Sequence, residues 1–208
     1  LLIAVQIKLG GLTVIVDHVH WSVAVHLGMA MLFFGSLIWL RRLVAREGME
    51  VIEIPTATNL IKGWAWLVAG LVWATMLIGA MVSTSFSGGS CGGLFDCHGS
   101  WIGENFHEVW HMKHRYFALL TTLTIVCFFM LVRKIPALKK TAIGLKILLL
   151  GQIGLGIATL YSFSYYADFY KLLSTLHLAW GTLLFMASVG TLLKIYYGSA
   201  GSFHDRNK

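Results

Sequence analysis

The sequence predicts an all-α integral membrane protein, built from transmembrane four-helix bundles related by an internal pseudo-symmetry. Three observations predict it. The 208 residues are 57% hydrophobic and only 12% charged, about half the charge of an ordinary soluble domain. Continuous apolar runs of about 20 residues recur, the length that crosses a hydrocarbon core, and they lack the alternation of a membrane β-barrel. One pair of runs near the start is also echoed near the end. The formal charge of +7 implies a lipid bilayer and no nucleic acid, because its lysines and arginines gather in a few connecting loops, as membrane topology demands.

Six spans follow in order. The first, about residues 1–16, is short, carries Lys8 and opens on Leu1-Leu2 without a cleavable signal peptide. The second, about 21–40, follows a turn free of lysine and arginine and holds His26 near its start. A basic loop with Arg41, Arg42, Arg46 and Lys62 leads to the third, about 63–84. The next loop, Ser85 to Phe106, has no lysine or arginine and contains Cys91 and Cys97. The fourth span, about 106–132, begins with His107, His111, His114 and Arg115. Arg133, Lys134, Lys139 and Lys140 separate it from the fifth, about 142–162. Only Lys171 lies before the sixth, about 172–196, which holds His177, and Arg206 and Lys208 close the chain. The positive-inside rule therefore places the two basic loops and the C-terminus in the cytoplasm of a multi-pass cell-membrane protein, with the cysteine loop outside.

The repeat divides these spans. "QIKLGGLTV" from Gln6 matches "QIGLGIATL" from Gln152, with Thr13 and Thr159 at the same offset, and "HLGMAMLFF" from His26 matches "HLAWGTLLF" from His177. Such repeats mark like bundles packed about a pseudo-symmetry axis. Residues 1–45 are expected to be the second helix pair of an N-terminal bundle, residues 59–197 a complete C-terminal bundle, and 198–208 a cytoplasmic tail. No counterpart of spans three and four precedes span one. The chain is thus expected to begin part-way into an eight-span protein, with a six-span protein as the rival.

His107, His111 and His114 share one helical face within roughly 60°. His114, His177 and His26 all fall just under the outer surface. An ionisable group inside a bilayer faces the bundle interior and has a partner. Two histidines at equal depth on different helices of one bundle can clamp a haem iron from both sides, so His114 and His177 are the expected ligands of a haem. His111, one turn nearer the water, is a weaker competitor. Gly151, Gly154, Gly156, Ala158 and Gly181 offer room for a flat ring, although glycines also serve plain helix packing. Arg115 could pair with a haem propionate. His18, His20, His98, His107 and His204 are expected to be interfacial hydrogen-bonders, and Trp64, Trp66, Trp73, Trp101 and Trp110 interface anchors.

Zinc fits poorly. The gap between Cys91 and Cys97 is too long for a knuckle and no second pair follows. In an oxidising compartment a structural disulfide is expected, and a redox-active pair if the loop is exposed. Cys127 is expected to be a buried small hydrophobe in the fourth span.

"LGGLTV" from Leu9, "GAMVSTSFSGGSC" from Gly79, "HMKHRYFALL" from His111 and "LHLAWGTLLF" from Leu176 together resemble the haem A synthase family, from Gln6 to about Leu193. The resemblance implies an oxidoreductase that converts the C8 methyl of haem O into the formyl of haem A for terminal oxidases. His114 and His177 would hold haem b, Cys91 and Cys97 would match the outer-loop pair, and His26 would match a catalytic histidine facing the substrate haem, its iron included. Haem O synthase and terminal-oxidase assembly are the implied partners. Ser83 stands where the family has arginine, and "GLFDCHG" lacks its tryptophan and proline. A membrane b-type cytochrome that only transfers electrons explains the bundle equally well but not the cysteine loop. A thiol oxidoreductase would need a second cysteine pair.

Overall fold

A computed structural model describes residues 1–45, 51–52, 54, 57–163 and 167–200. Arg46, His204, Arg206, Lys208 and most of the expected tail lie outside the described residues. The described chain forms α1 (Leu2–Ile15), α2 (His20–Val44), α3 (Asn59–Thr84), α4 (Phe106–Val132), α5 (Pro136–Ser162) and α6 (Ala167–Tyr197), with a 3-10 turn at Ser87–Gly89. Two short strands, β1 (Val51–Ile52) and β2 (Ser199–Ala200), pair antiparallel beside the basic ends of the helices.

Five helices, α2 to α6, are long and apolar enough to cross a membrane. The chain is an all-α integral membrane protein. Helix α1, with 14 residues, reaches about 21 Å and falls short of a hydrocarbon core of about 30 Å. Helix α4 occupies the span expected of it. Helices α3, α5 and α6 begin four to six residues before theirs, and α2 runs four residues beyond. Hydropathy marks the apolar core of a span, but backbone hydrogen bonding continues through the polar headgroup layer. Pro136 at the first turn of α5 supplies a start signal ahead of Lys139 and Lys140, since its missing N–H has no helical partner to lose there.

Helices α3 to α6 close a ring, each against its neighbours, while α1 packs on α2, and α2 packs on α3 and α6. Gly28 lets α2 approach α3: its backbone lies under Leu77 and Trp73, and Trp73 donates its indole N–H to the Gly28 carbonyl at 3.1 Å. Trp73 is therefore a helix-packing residue and not the interface anchor expected from sequence. On the other side Gly35 faces Phe185 of α6.

The apolar core is lopsided. It comprises Ile61, Ala65, Val68, Ala69 and Val72 of α3, Ile125, Phe128 and Val132 of α4, Leu138, Ala142, Leu145 and Leu149 of α5, and Leu184, Phe185, Leu192 and Ile195 of α6, with Ile54. On every helix these residues occupy the half nearer the basic loops. The other half of the ring holds the histidines. Cys127 sits on the outward face of α4, a correction to the expectation of burial. It falls one position before the core residue Phe128, which turns it about 100° away from the ring centre.

Candidate functional site

His114 of α4 and His177 of α6 meet across the ring. Their ring centres are 6.4 Å apart and their planes 82° from parallel. Helical rise explains the meeting. His114 lies 19 residues from Arg133 and His177 lies 17 from Lys194, about 28 and 26 Å above the basic end. Each imidazole rests against a glycine of a neighbouring helix. A β-carbon at Gly79 of α3 would stand 3.0 Å from His114 Cε1, and one at Gly156 of α5 would stand 3.1 Å from His177 Cε1. Beneath them Thr75 and Thr121 hydroxyls pair at 2.8 Å between α3 and α4. The Trp180 indole N–H, lodged against Gly151, donates to the Leu148 carbonyl at 2.8 Å.

The α1–α2 pair repeats this arrangement. A β-carbon at Gly10 would stand 3.2 Å from His26 Cε1. Gln6 Nε2 lies 3.2 Å from His26 Nε2, as Gln152 Nε2 lies 3.1 Å from His177 Nε2. Thr13 and Thr159 each donate to the carbonyl four residues back, at 2.8 and 2.7 Å. The sequence repeat is thus a repeat of side-chain geometry. The two glutamines join the site beyond the residues expected from sequence, and their constant offset from glycine and threonine is the signal that marks them.

Other expected residues lie elsewhere. His111 is buried but turned to Ser90, 3.5 Å from its hydroxyl, and does not face His177. Ser85 donates to the Met81 carbonyl at 2.6 Å, Ser87 pairs with Ser85 at 2.6 Å and His107 Nδ1 with Ser87 at 3.0 Å, a hydrogen-bonding role for His107. Gly154 looks outward with nothing near it, Gly151 serves Trp180, and of the glycines expected around a haem Gly156 and Gly181 touch site side chains.

The cysteine loop closes over this end. Cys91 and Cys97 form a disulfide with Cα atoms 4.7 Å apart. Both are fully buried beside Met112 of α4, while Gly92, Gly93, Leu94 and Phe95 between them are exposed, so the bridge is shielded inside an exposed loop. Arg115 donates to the Cys91 carbonyl at 3.0 Å and the Asp96 carbonyl at 3.2 Å, fastening the loop to the turn that carries His114. Cys97, His98, Gly99 and Ser100 make a tight turn, with two backbone bonds of 2.9 Å and positive φ at His98 and Gly99, the geometry of a two-residue hairpin. Asn105 caps α4, accepting from the His107 and Glu108 N–H groups at 3.1 Å, and Glu108 accepts from Glu104 N–H at 2.8 Å. This reciprocal arrangement is close to a capping box. Cys97, His98 and Glu108 cluster, but the Cys97 sulfur is committed to the disulfide and offers no thiolate to a metal. On the far side the 3-10 turn tucks beneath aromatic rings: Gly88 lies against Tyr170 and Gly89 against Phe163.

The site's donor set suits a haem. At roughly 2 Å per metal–nitrogen bond, two imidazoles sharing one ion have ring centres about 6 Å apart, and the observed spacing matches. His177 and His26 Nε2 each meet a glutamine amide nitrogen, a contact a metal could replace, and the Gln6 and Gln152 amide oxygens are buried without a partner among the described residues.

The sequence model of one family, COX15-CtaA, described as cytochrome oxidase assembly protein, matches residues 1–189. Among curated proteins the chain is similar to "Heme A synthase" of Shouchella clausii (strain KSM-K16), 26% identical over 170 residues, covering 78% of this chain and 56% of that protein. It is also similar to "Heme A synthase" of Maricaulis maris (strain MCS10), 29% identical over 198 residues, 86% of this chain and 54% of that protein. A third, of Rhodospirillum centenum (strain ATCC 51521 / SW), is 29% identical over 170 residues, 73% of this chain and 44% of that protein. The chain spans about half the length of the curated relatives it matches.

Proposed function

Because the chain belongs to the COX15-CtaA family of cytochrome oxidase assembly proteins, we propose that it is the haem b half of a haem A synthase together with part of its substrate half. In this reading α3 to α6 hold a haem b between His114 and His177, and α1–α2 present His26 to a substrate haem O whose C8 methyl is oxidised to the formyl of haem A. The observation that carries it is the pairing of His114 and His177 at 6.4 Å, each ring seated on a glycine. The name of the relatives, haem A synthase, supports haem A as the product.

When bound, the haem b would supply one-electron transfer away from the oxidised methyl. The chain's own residues do the rest. His114 and His177 would hold the haem b through one ring nitrogen each, offered from two different helices. Gly79 and Gly156 let the imidazoles lie flat on the neighbouring backbone. The apolar core below excludes water from the basic side. Arg115 has five N–H groups, of which the loop takes only part, and its place beside His114 suits a haem carboxylate. The Cys91–Cys97 loop roofs the site. The cysteine loop lies outside the cell membrane and the C-terminus in the cytoplasm, with haem O synthase and the assembling terminal oxidase as partners.

His114→Ala or His177→Ala should abolish the low-spin haem spectrum of the purified protein, and two variants with wild-type spectra would refute the ligand pair. Expression beside a haem O synthase should yield haem A in the extracted pigment. Haem O alone, from well-folded protein, would favour a b-type cytochrome without synthase activity.

A further inference from the structure

We propose that Gln152 and Gln6 are positioning residues that hold the iron-binding nitrogens of His177 and His26 before haem arrives. The inference rests on the haem reading above and deepens it. A carboxamide nitrogen can only donate a hydrogen bond. With Gln152 Nε2 at 3.1 Å from His177 Nε2 and Gln6 Nε2 at 3.2 Å from His26 Nε2, each ring nitrogen must accept with its lone pair, and the ring proton sits on Nδ1. That lone pair is the one a metal takes from a neutral imidazole. The amide keeps the ring in the metal-ready tautomer and in the right rotamer, and gives way to the iron when the bond forms. Ligation would exchange the N–H···N hydrogen bond for an Fe–N bond, with no proton to remove.

The packing around the amide is reciprocal. On α5 Gln152 precedes Gly156 by one turn, and on α6 His177 precedes Gly181 by one turn. Gly156 makes room for the imidazole, and a β-carbon at Gly181 would stand 3.2 Å from Gln152 Nε2. The amide oxygen and the His177 Nδ1 are buried and unpartnered among the described residues. A buried polar pair left half-satisfied is unfavourable, so packing alone does not account for it. The same half-satisfied pair recurs at Gln6 and His26, where Gln6 also donates to the His26 carbonyl at 3.2 Å. His114 has no such guard: Thr75, one turn before Gly79, donates its hydroxyl to the Leu71 carbonyl and pairs with the Thr121 hydroxyl.

The test uses the full chain in detergent, stripped of haem and titrated with haemin, with the low-spin absorption band as readout. Wild type should bind with a His177-dependent spectrum. Gln152→Leu should bind about tenfold or more weakly, the usual effect of removing a residue that orients a metal ligand. Gln152→Glu should bind more weakly still, because a carboxylate only accepts and would draw the proton to Nε2. A residue that merely fills space would give the opposite order, since glutamate keeps the shape of glutamine. Nitrogen-15 spectra of histidine-labelled wild-type apoprotein read the tautomer with no substitution at all, and His177 should carry its proton on Nδ1. An Nε2–H His177, variants within about twofold of wild type, or a wild-type-like Gln152→Glu would each overturn the proposal while leaving the ligand pair standing. A wild-type spectrum indifferent to His177→Ala would overturn both.

Discussion

At Gly156 and Gly79 a β-carbon would approach an imidazole to 3.1 and 3.0 Å. Alanine there asks the ring to yield by a few tenths of an ångström, whereas a branched side chain must displace it. Gly156→Val is therefore expected to remove most of the low-spin band in haemin titration while the far-ultraviolet helical signal persists. Gly103 is constrained differently. It has φ +86° and a β-carbon there would fall 2.7 Å from the backbone of Glu108 and Val109. Gly103→Ala should destabilise the loop by about 1–3 kcal/mol, seen as a lowered thermal midpoint. The meeting of His114 and His177 was legible in the sequence because membrane depth can be counted in residues and ionisable groups are rare in spans. Arg115 was less so: it pairs with Cys91 and Asp96 carbonyls because backbone acceptors in a loop leave no mark in the sequence.

The cysteine loop is the element whose chemistry is most easily checked. Of the three cysteines, two are joined and Cys127 is free. Thiol-reactive polymer added to the unfolded chain should shift one cysteine without reductant and three after reduction; three shifts without reductant would refute the disulfide. Loss of the bridge in Cys91→Ser/Cys97→Ser closes a short loop less tightly, an effect of about 2 kcal/mol in the chain-entropy account. Because Arg115 fastens this loop to the turn bearing His114, the double variant should also shift the low-spin spectrum, whereas Cys127→Ala should not. Helix spans were legible in outline from apolar run length. Their ends were not, because helices extend past the hydrocarbon and are fixed by local caps such as Asn105 and Pro136.

For the whole molecule, the α1–α2 pair bearing Gln6, Gly10 and His26 duplicates α5–α6, and its lean against α3 and α6 through Gly28 and Gly35 could not be counted from sequence, since either face of α2 is apolar. Gly28→Phe should loosen that pair, which limited proteolysis would register as earlier cleavage between α2 and α3. Membrane orientation has its own check: alkaline phosphatase fused within the cysteine loop should be active, and a fluorescent protein fused after the last residue should glow, the reverse pattern refuting the proposed topology. The core that joins α3 to α6 is confined to the basic half, and this has a consequence for biogenesis. A polypeptide leaving the translocon can zip its helices together at one end with nothing but its own apolar side chains. If the proposed haem site is correct, the histidine end would be left as its receptacle, to be filled after insertion rather than during it. Amide exchange in the unloaded protein should be slow around Phe128 and Leu145 and fast around His114 and Gln152, and loading should slow only the latter.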